Sequence, residues 1–219
     1  MTQSDIWLFD LDNTLHNADA GVFYTINRAM TAYLGEALNL DEAAASDLRQ
    51  DYWHRYGATL AGLQKHHPEI SVLEFLQRSH PLDKILSQLS PMEGCVETLT
   101  AIKGTKVVFS NGPSFYVQAL IYKMGLEAHF SSLLGTDDFG LLYKPADQAY
   151  LTVCHKLSAA PERCIMIDDS ADNLYAAKAL GMRTVWFGQH THPLPFVDFA
   201  AADMQELRRW AMAHTSCLA

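Results

Sequence analysis

The chain of 219 residues is poor in several things. Its four cysteines, Cys95, Cys154, Cys164 and Cys217, have neither the density nor the spacing of a disulfide framework or a zinc site, so they read as reduced thiols. No apolar run approaches the ~18 residues that a membrane span requires. The opening stretch MTQSDIWLFD has no basic segment and meets Asp10 early, unlike a secretion signal. The expectation is a cytoplasmic protein with no membrane partner. Basic residues are scarce: 16 Lys and Arg against 25 Asp and Glu leave a net charge of −9, with no basic cluster. This argues against a polynucleotide partner. A small anion stays within reach, because a few local donors and a cation overcome an unfavourable distant field.

What is present is a well-formed core. Apolar residues make up 49% of the chain and charged residues 19%, which suits one large soluble domain or a domain carrying an insertion. Strand-like runs occur at IWLFD (6–10), KVVFS (106–110), SSLLG (131–135), CIMID (164–168) and RTVWF (183–187). Most are apolar throughout, as in strands of a parallel sheet covered on both faces. Helical patterns separate the later runs: SFYVQALIYKMG after Pro113, PADQAYLTVCHKL, and ADNLYAAKALG with Gly181 as its stop, followed by a final helix near 203–213. The predicted fold is α/β, a Rossmann-like, doubly wound parallel sheet. About ninety residues separate Asp12 from the second strand, far beyond an ordinary connection. Helical patterns at 19–38, 41–60 and 71–79 predict an inserted helical cap over 16–88, with 1–15 and 89–219 forming the core.

Open parallel sheets present ligands at the carboxyl ends of their strands. Those ends hold Asp10 and Asp12, then Ser110, Asn111 and Gly112, then Asp168 and Asp169, with Lys144 in the segment after the third strand. Each alone reads equally well as a turn or a surface residue. Together they describe a phosphoryl-transfer site. One carboxylate of the Asp10/Asp12 pair attacks while the other shuttles a proton. Carboxylates from two strand ends, Asp10 and Asp12 with Asp168 and Asp169, make an oxygen-rich set suited to Mg²⁺. Ser110 and the amides of Asn111 and Gly112 hold phosphoryl oxygens, and Lys144 offsets negative charge.

In this order the motifs DLDNTL, VVFSNG, the lysine of LYKP, and IMIDDSADN resemble those of the haloacid dehalogenase-like hydrolases over nearly the whole chain. The resemblance implies Asp10 as nucleophile, Asp12 as general acid/base, Ser110 and Lys144 as phosphoryl-binding residues, and Mg²⁺ held by Asp169 with Asp168 direct or behind it. It also implies that the insertion is a C1-type cap, whose closure would exclude water. Many relatives have Gly at the place of Asp168 and Asp at the place of Asn173, so which of Asp168 and Asp169 touches the metal stays open. Asn173 then either orients a ligand or caps a helix. The dehalogenase branch lacks an aspartate at position 12, because a departing halide needs no proton. That favours a phosphatase or mutase.

Substrate choice falls to the cap. YGATLAGLQKHH (56–67) and the following HPLDKI resemble caps of pyrimidine 5′-nucleotidases, which implies nucleoside monophosphates such as UMP or CMP. Ordinary helix packing explains the same residues. Phe23 and Tyr24, at the start of the first cap helix, either stack on a base or belong to the core. The alternatives are a phosphoglycolate or sugar-phosphate phosphatase, a phosphomutase, and a non-catalytic phosphate-binding module.

Overall fold

A short apolar strand, β1 (Ile6–Phe9), has all four side chains buried and lies in the middle of the sheet. The computed structural model describes residues 5–190 and 192–215, and Cys217 lies outside the described residues. Five further strands join β1: β2 (Thr105–Phe109), β3 (Ser132–Leu134), β4 (Cys164–Asp168), β5 (Arg183–Phe187) and β6 (Phe199–Ala201). All pair in parallel, in the order β3-β2-β1-β4-β5-β6. The order reverses direction between β1 and β4, which is the switch point where ligands of doubly wound sheets bind.

Side chains alternate across the pleat. Ile6, Leu8, Val107, Phe109, Cys164 and Met166 therefore share one buried cluster with Tyr150, Val153 and Leu174. On β1, Trp7 meets Trp210 edge-on at 6.0 Å and Phe9 meets Phe130 at 5.8 Å. Burial of β1 and β4 from end to end explains why their sequences are continuously apolar.

Contacts divide the chain into two units, one comprising Ala18–Leu89 and the other the rest. The first holds α1 (Val22–Leu38), α2 (Glu42–Tyr56), α3 (Thr59–His66), α4 (Val72–Ser79) and α5 (Leu82–Ser87). The sheet-bearing unit adds α6 (Cys95–Ala101), α7 (Ser114–Met124), α8 (Asp147–Lys156), α9 (Ala171–Ala179) and α10 (Met204–Thr215).

Three features differ from the sequence expectation. The helix expected over 41–60 stops at Tyr56, because Gly57 takes a left-handed conformation and ends it; α3 then begins afresh. Helix α5 follows α4 after a break at His80 and Pro81. Strand β6 was not expected at all, since Phe199-Ala200-Ala201 is short and alanine favours strands weakly. Its pairing with Val185–Phe187 makes it a strand.

The stretch 56–67 is accounted for by packing. Leu60 and Leu63 are buried, and a Cβ at Gly62 would stand 2.2 Å from the Tyr52 ring. Tyr56 shares a 2.6 Å hydrogen bond with His66, whose ring stacks on Tyr52.

Candidate active site

Asp10 follows β1 directly and continues its ladder, donating its N–H to the Ile167 carbonyl at 2.9 Å. Its side chain is buried among charges. Lys144 Nζ donates to Asp10 Oδ1 and to Asp168 Oδ2, each at 2.7 Å, and the lysine side chain has no exposed surface. Burial disfavours this ammonium, yet the two carboxylates hold its pKa above the ordinary lysine value. The Nζ also lies 5.0 Å over the Phe109 ring, a cation–π contact.

Asn111 positions the lysine. Its Oδ1 accepts from Lys144 N at 2.8 Å, and its Nδ2 donates to Lys144 O at 2.9 Å. These bonds engage the Asn111 side chain, whereas the phosphoryl contact expected of this residue is that of its backbone amide. Ser110 is buried and belongs to the same strand end, with its N–H on the Leu134 carbonyl. Its Oγ accepts from Gly112 N at 3.0 Å, which leaves the hydroxyl proton to donate elsewhere.

Asp168, at the end of β4, is saturated. Its Oδ1 accepts from Ser170 N and Asn173 Nδ2 at 2.9 and 3.0 Å, while Oδ2 accepts from Lys144 and from Asn173 Nδ2 at 2.7 and 3.1 Å. The two departures from the family pattern therefore explain each other. An aspartate at 168 needs a donor at 173, and a second carboxylate there would repel it.

Asp169 is half-buried, and burial followed by the charge of Asp168 pushes its carboxyl up to about 6. The Asp10 carboxyl is also held well above its usual range. Burial is the main cause, with Asp168, Asp12 and Asp169 adding to it against the pull of Lys144. One ammonium thus faces three carboxylates, those of Asp10, Asp168 and Asp169. Asp10, Asp168 and Asp169 each offer an oxygen within 4.8 Å of the others. Hard oxygen donors with surplus negative charge fit Mg²⁺. Because Asp168 already accepts four hydrogen bonds, Asp10 and Asp169 are the carboxylates with capacity for it.

The clustered carboxylates are those of Asp10, Asp168 and Asp169, and the Asp12 side chain has other partners. Its Oδ1 accepts from His16 Nε2 at 2.9 Å and from the Tyr116 hydroxyl. Neither partner was recognised in the sequence. The four-residue spacing of Asp12 and His16 was visible, but nothing marked Tyr116 among the aromatics of α7. Phe23 and Tyr24 belong to the helical unit. Phe23 is half-buried, whereas Tyr24 is 68% exposed and lines a groove of about 510 Å³ with Asn27, Arg28 and Arg49.

Residues 5–181 match the family model described as haloacid dehalogenase-like hydrolase. The chain belongs to that family. This hydrolase is 22% identical over 199 residues to a phosphoglycolate phosphatase of Colwellia psychrerythraea, covering 84% of each chain. It is 26% identical over 191 residues to a glyceraldehyde 3-phosphate phosphatase of Methanocaldococcus jannaschii, covering 81% of this chain and 82% of that one. Among solved structures, a HAD phosphatase from Thermococcus onnurineus shares the fold at a TM-score of 0.68 and 19% identity, over 94% of this chain and 97% of that one.

Two outcomes follow for this hydrolase. A carboxyl raised in the fold stabilises it below about pH 4, and that contribution is lost as pH rises through about 6, where the charged form must be tolerated. Mg²⁺ should relieve this. At a hundredfold excess over Kd it adds about 2.7 kcal/mol, or roughly 5–10 °C in melting temperature. The shift is expected at about pH 7.5 and should shrink at about pH 5, where protons compete; thermal melting in EDTA and in Mg²⁺ at both pH values measures it, and equal shifts would contradict the carboxylate site. For Asn173→Asp, which sets a carboxylate against buried Asp168, denaturation should show a loss of about 1–3 kcal/mol. Wild-type stability would mean that the Asp168–Asn173 bonds matter little.

Proposed function

We propose that this hydrolase is a Mg²⁺-dependent phosphomonoesterase for small phosphorylated carboxylates or sugars, the class named for its phosphoglycolate and glyceraldehyde 3-phosphate phosphatase relatives. The observation that carries the proposal is the different treatment of two neighbouring aspartates. Asp10 is pinned through Oδ1 by a buried ammonium, while Asp12 stands apart on neutral and ring donors. Two carboxyl groups in such unlike surroundings suit two roles.

Asp10 is the nucleophile. Its free oxygen attacks phosphorus, the bond to the leaving oxygen breaks, and Asp12 delivers a proton to that oxygen. An aspartyl-phosphate results. Asp12 then accepts a proton from the water that attacks phosphorus, phosphate departs and the Asp10 carboxylate returns. Lys144 and the Ser110 hydroxyl hold phosphoryl oxygens. Asp10 and Asp169 would hold Mg²⁺, with Asp168 anchoring Lys144 behind them, and the bound cation would screen the anionic nucleophile from the anionic ester. A halide would not need the proton of Asp12, so its presence supports an ester substrate.

The pyrimidine nucleotide expectation rests on residues 56–67 with HPLDKI, FSNG and IDDSADN, and within 56–67 the glycine, leucines and histidine are engaged in packing. The names of the relatives favour the small-ester reading. Phosphate release in Mg²⁺ across 2-phosphoglycolate, glyceraldehyde 3-phosphate, common sugar phosphates, UMP and CMP, with Asp10→Asn as the blank, tests it. Highest kcat/KM is expected on phosphoglycolate or a triose or sugar phosphate. Preference for UMP and CMP would return the nucleotide reading, and no release above the blank from any ester would end the phosphatase proposal.

A further inference from the structure

Among the described residues, Asp12 is held by one oxygen only, and by two donors at once. His16 Nε2 and the Tyr116 hydroxyl both reach Oδ1, which fills the two lone pairs of that atom. Both donors come from buried residues: His16 and Tyr116 have no exposed surface, whereas the Asp12 side chain keeps 19% of its own. The carboxylate is therefore gripped from the protein side and open on the other.

The grip is built from separate parts of the chain. His16 is brought round by the turn after β1, in which Leu15 N bonds Leu11 O at 2.9 Å and Asn13 adopts a left-handed conformation at φ 57°. The backbone of His16 forms bridges with both Asp12 and Pro91. Its Nδ1 is buried and has no hydrogen-bond partner among the described residues, so the ring meets the site through Nε2. Tyr116 rises from the first turn of α7, just after the phosphoryl-binding segment. A Cβ at Gly112 would stand 2.7 Å from the Tyr116 ring, so the tyrosine reaches Asp12 only because residue 112 has no side chain.

We infer that His16 and Tyr116 are positioning residues for Asp12: by filling Oδ1 they reserve Oδ2 as the oxygen that gives and takes the catalytic proton, and they fix its direction. This rests on the reading of Asp12 as the general acid/base. Without the grip the carboxyl rotates, its two oxygens become equivalent, and only a fraction of its orientations delivers a proton to the leaving oxygen. Neither residue touches the substrate, so binding is unaffected.

The test separates proton delivery from folding. Single-turnover release of the leaving group in Mg²⁺ is compared for 2-phosphoglycolate, whose alkoxide must be protonated, and p-nitrophenyl phosphate, whose phenolate leaves unaided. Tyr116→Phe and His16→Leu should each slow the alkyl ester by on the order of tenfold or more and the nitrophenyl ester by less than about threefold, with KM unchanged. His16→Gln, which keeps a donor, should recover part of the loss. Equal losses on both esters, or no loss on the alkyl ester, would overturn the inference. Asp12→Asn distinguishes the underlying reading. If it spares the alkyl ester, the general-acid assignment itself is wrong; if it shows the selective loss while Tyr116→Phe and His16→Leu do not, only the positioning role falls.

Discussion

A single buried ammonium organises the carboxyl end of the sheet. Lys144 Nζ bonds Asp10 at the end of β1 and Asp168 at the end of β4, the two neighbouring strands between which the sheet order reverses. Neither carboxylate would tolerate its burial alone, and neither would the lysine. Their mutual bonds make the cluster permissible, and each partner is then fixed from behind. Asn111, beyond β2, holds the Lys144 backbone at both its N–H and its carbonyl, and Asn173 with the Ser170 amide holds Asp168. Three strand ends are thus tied together through one residue. The surplus of carboxylates over ammonium is what suits the same place to a divalent cation.

Much of this was legible in the sequence, for a physical reason. A parallel strand buried on both faces reads as an unbroken apolar run, so the residue that ends it stands out, and Asp10, Ser110, Asp168 and Asp169 were all found that way. The less visible parts depend on contacts between distant residues. The two hydrogen bonds of the Asn111 side chain to the Lys144 backbone join positions 33 apart. Asp168 and Asn173 each looked like an anomaly, and only their hydrogen bonds make them a pair. The bonds of Asp12 to His16 and Tyr116 are a matter of side-chain direction, which spacing does not encode. In the fold, β6 escaped notice because its three residues become a strand through the neighbour they meet.

The helical unit shows the opposite limit. Its sequence between 56 and 67 resembled a substrate-reading segment, and its residues prove to be occupied with each other: Gly62 beneath Tyr52, Leu60 and Leu63 in the interior, His66 bound to Tyr56. Small residues and rings at helical spacing serve packing and recognition equally well. The chemistry of the sheet-bearing unit is shared by many substrates, so substrate choice must be measured on the esters themselves.

The central claim is that Asp10 carries the phosphoryl group covalently. The most direct measurement is a borohydride quench during turnover in Mg²⁺, which reduces an acyl phosphate to an alcohol, followed by peptide mass mapping. The account predicts homoserine at position 10 and nowhere else, appearing only when substrate is present. Reduction at another carboxylate, or phosphate release with no homoserine at position 10 even in Asp12→Asn, whose slowed hydrolysis should retain the intermediate, would contradict it.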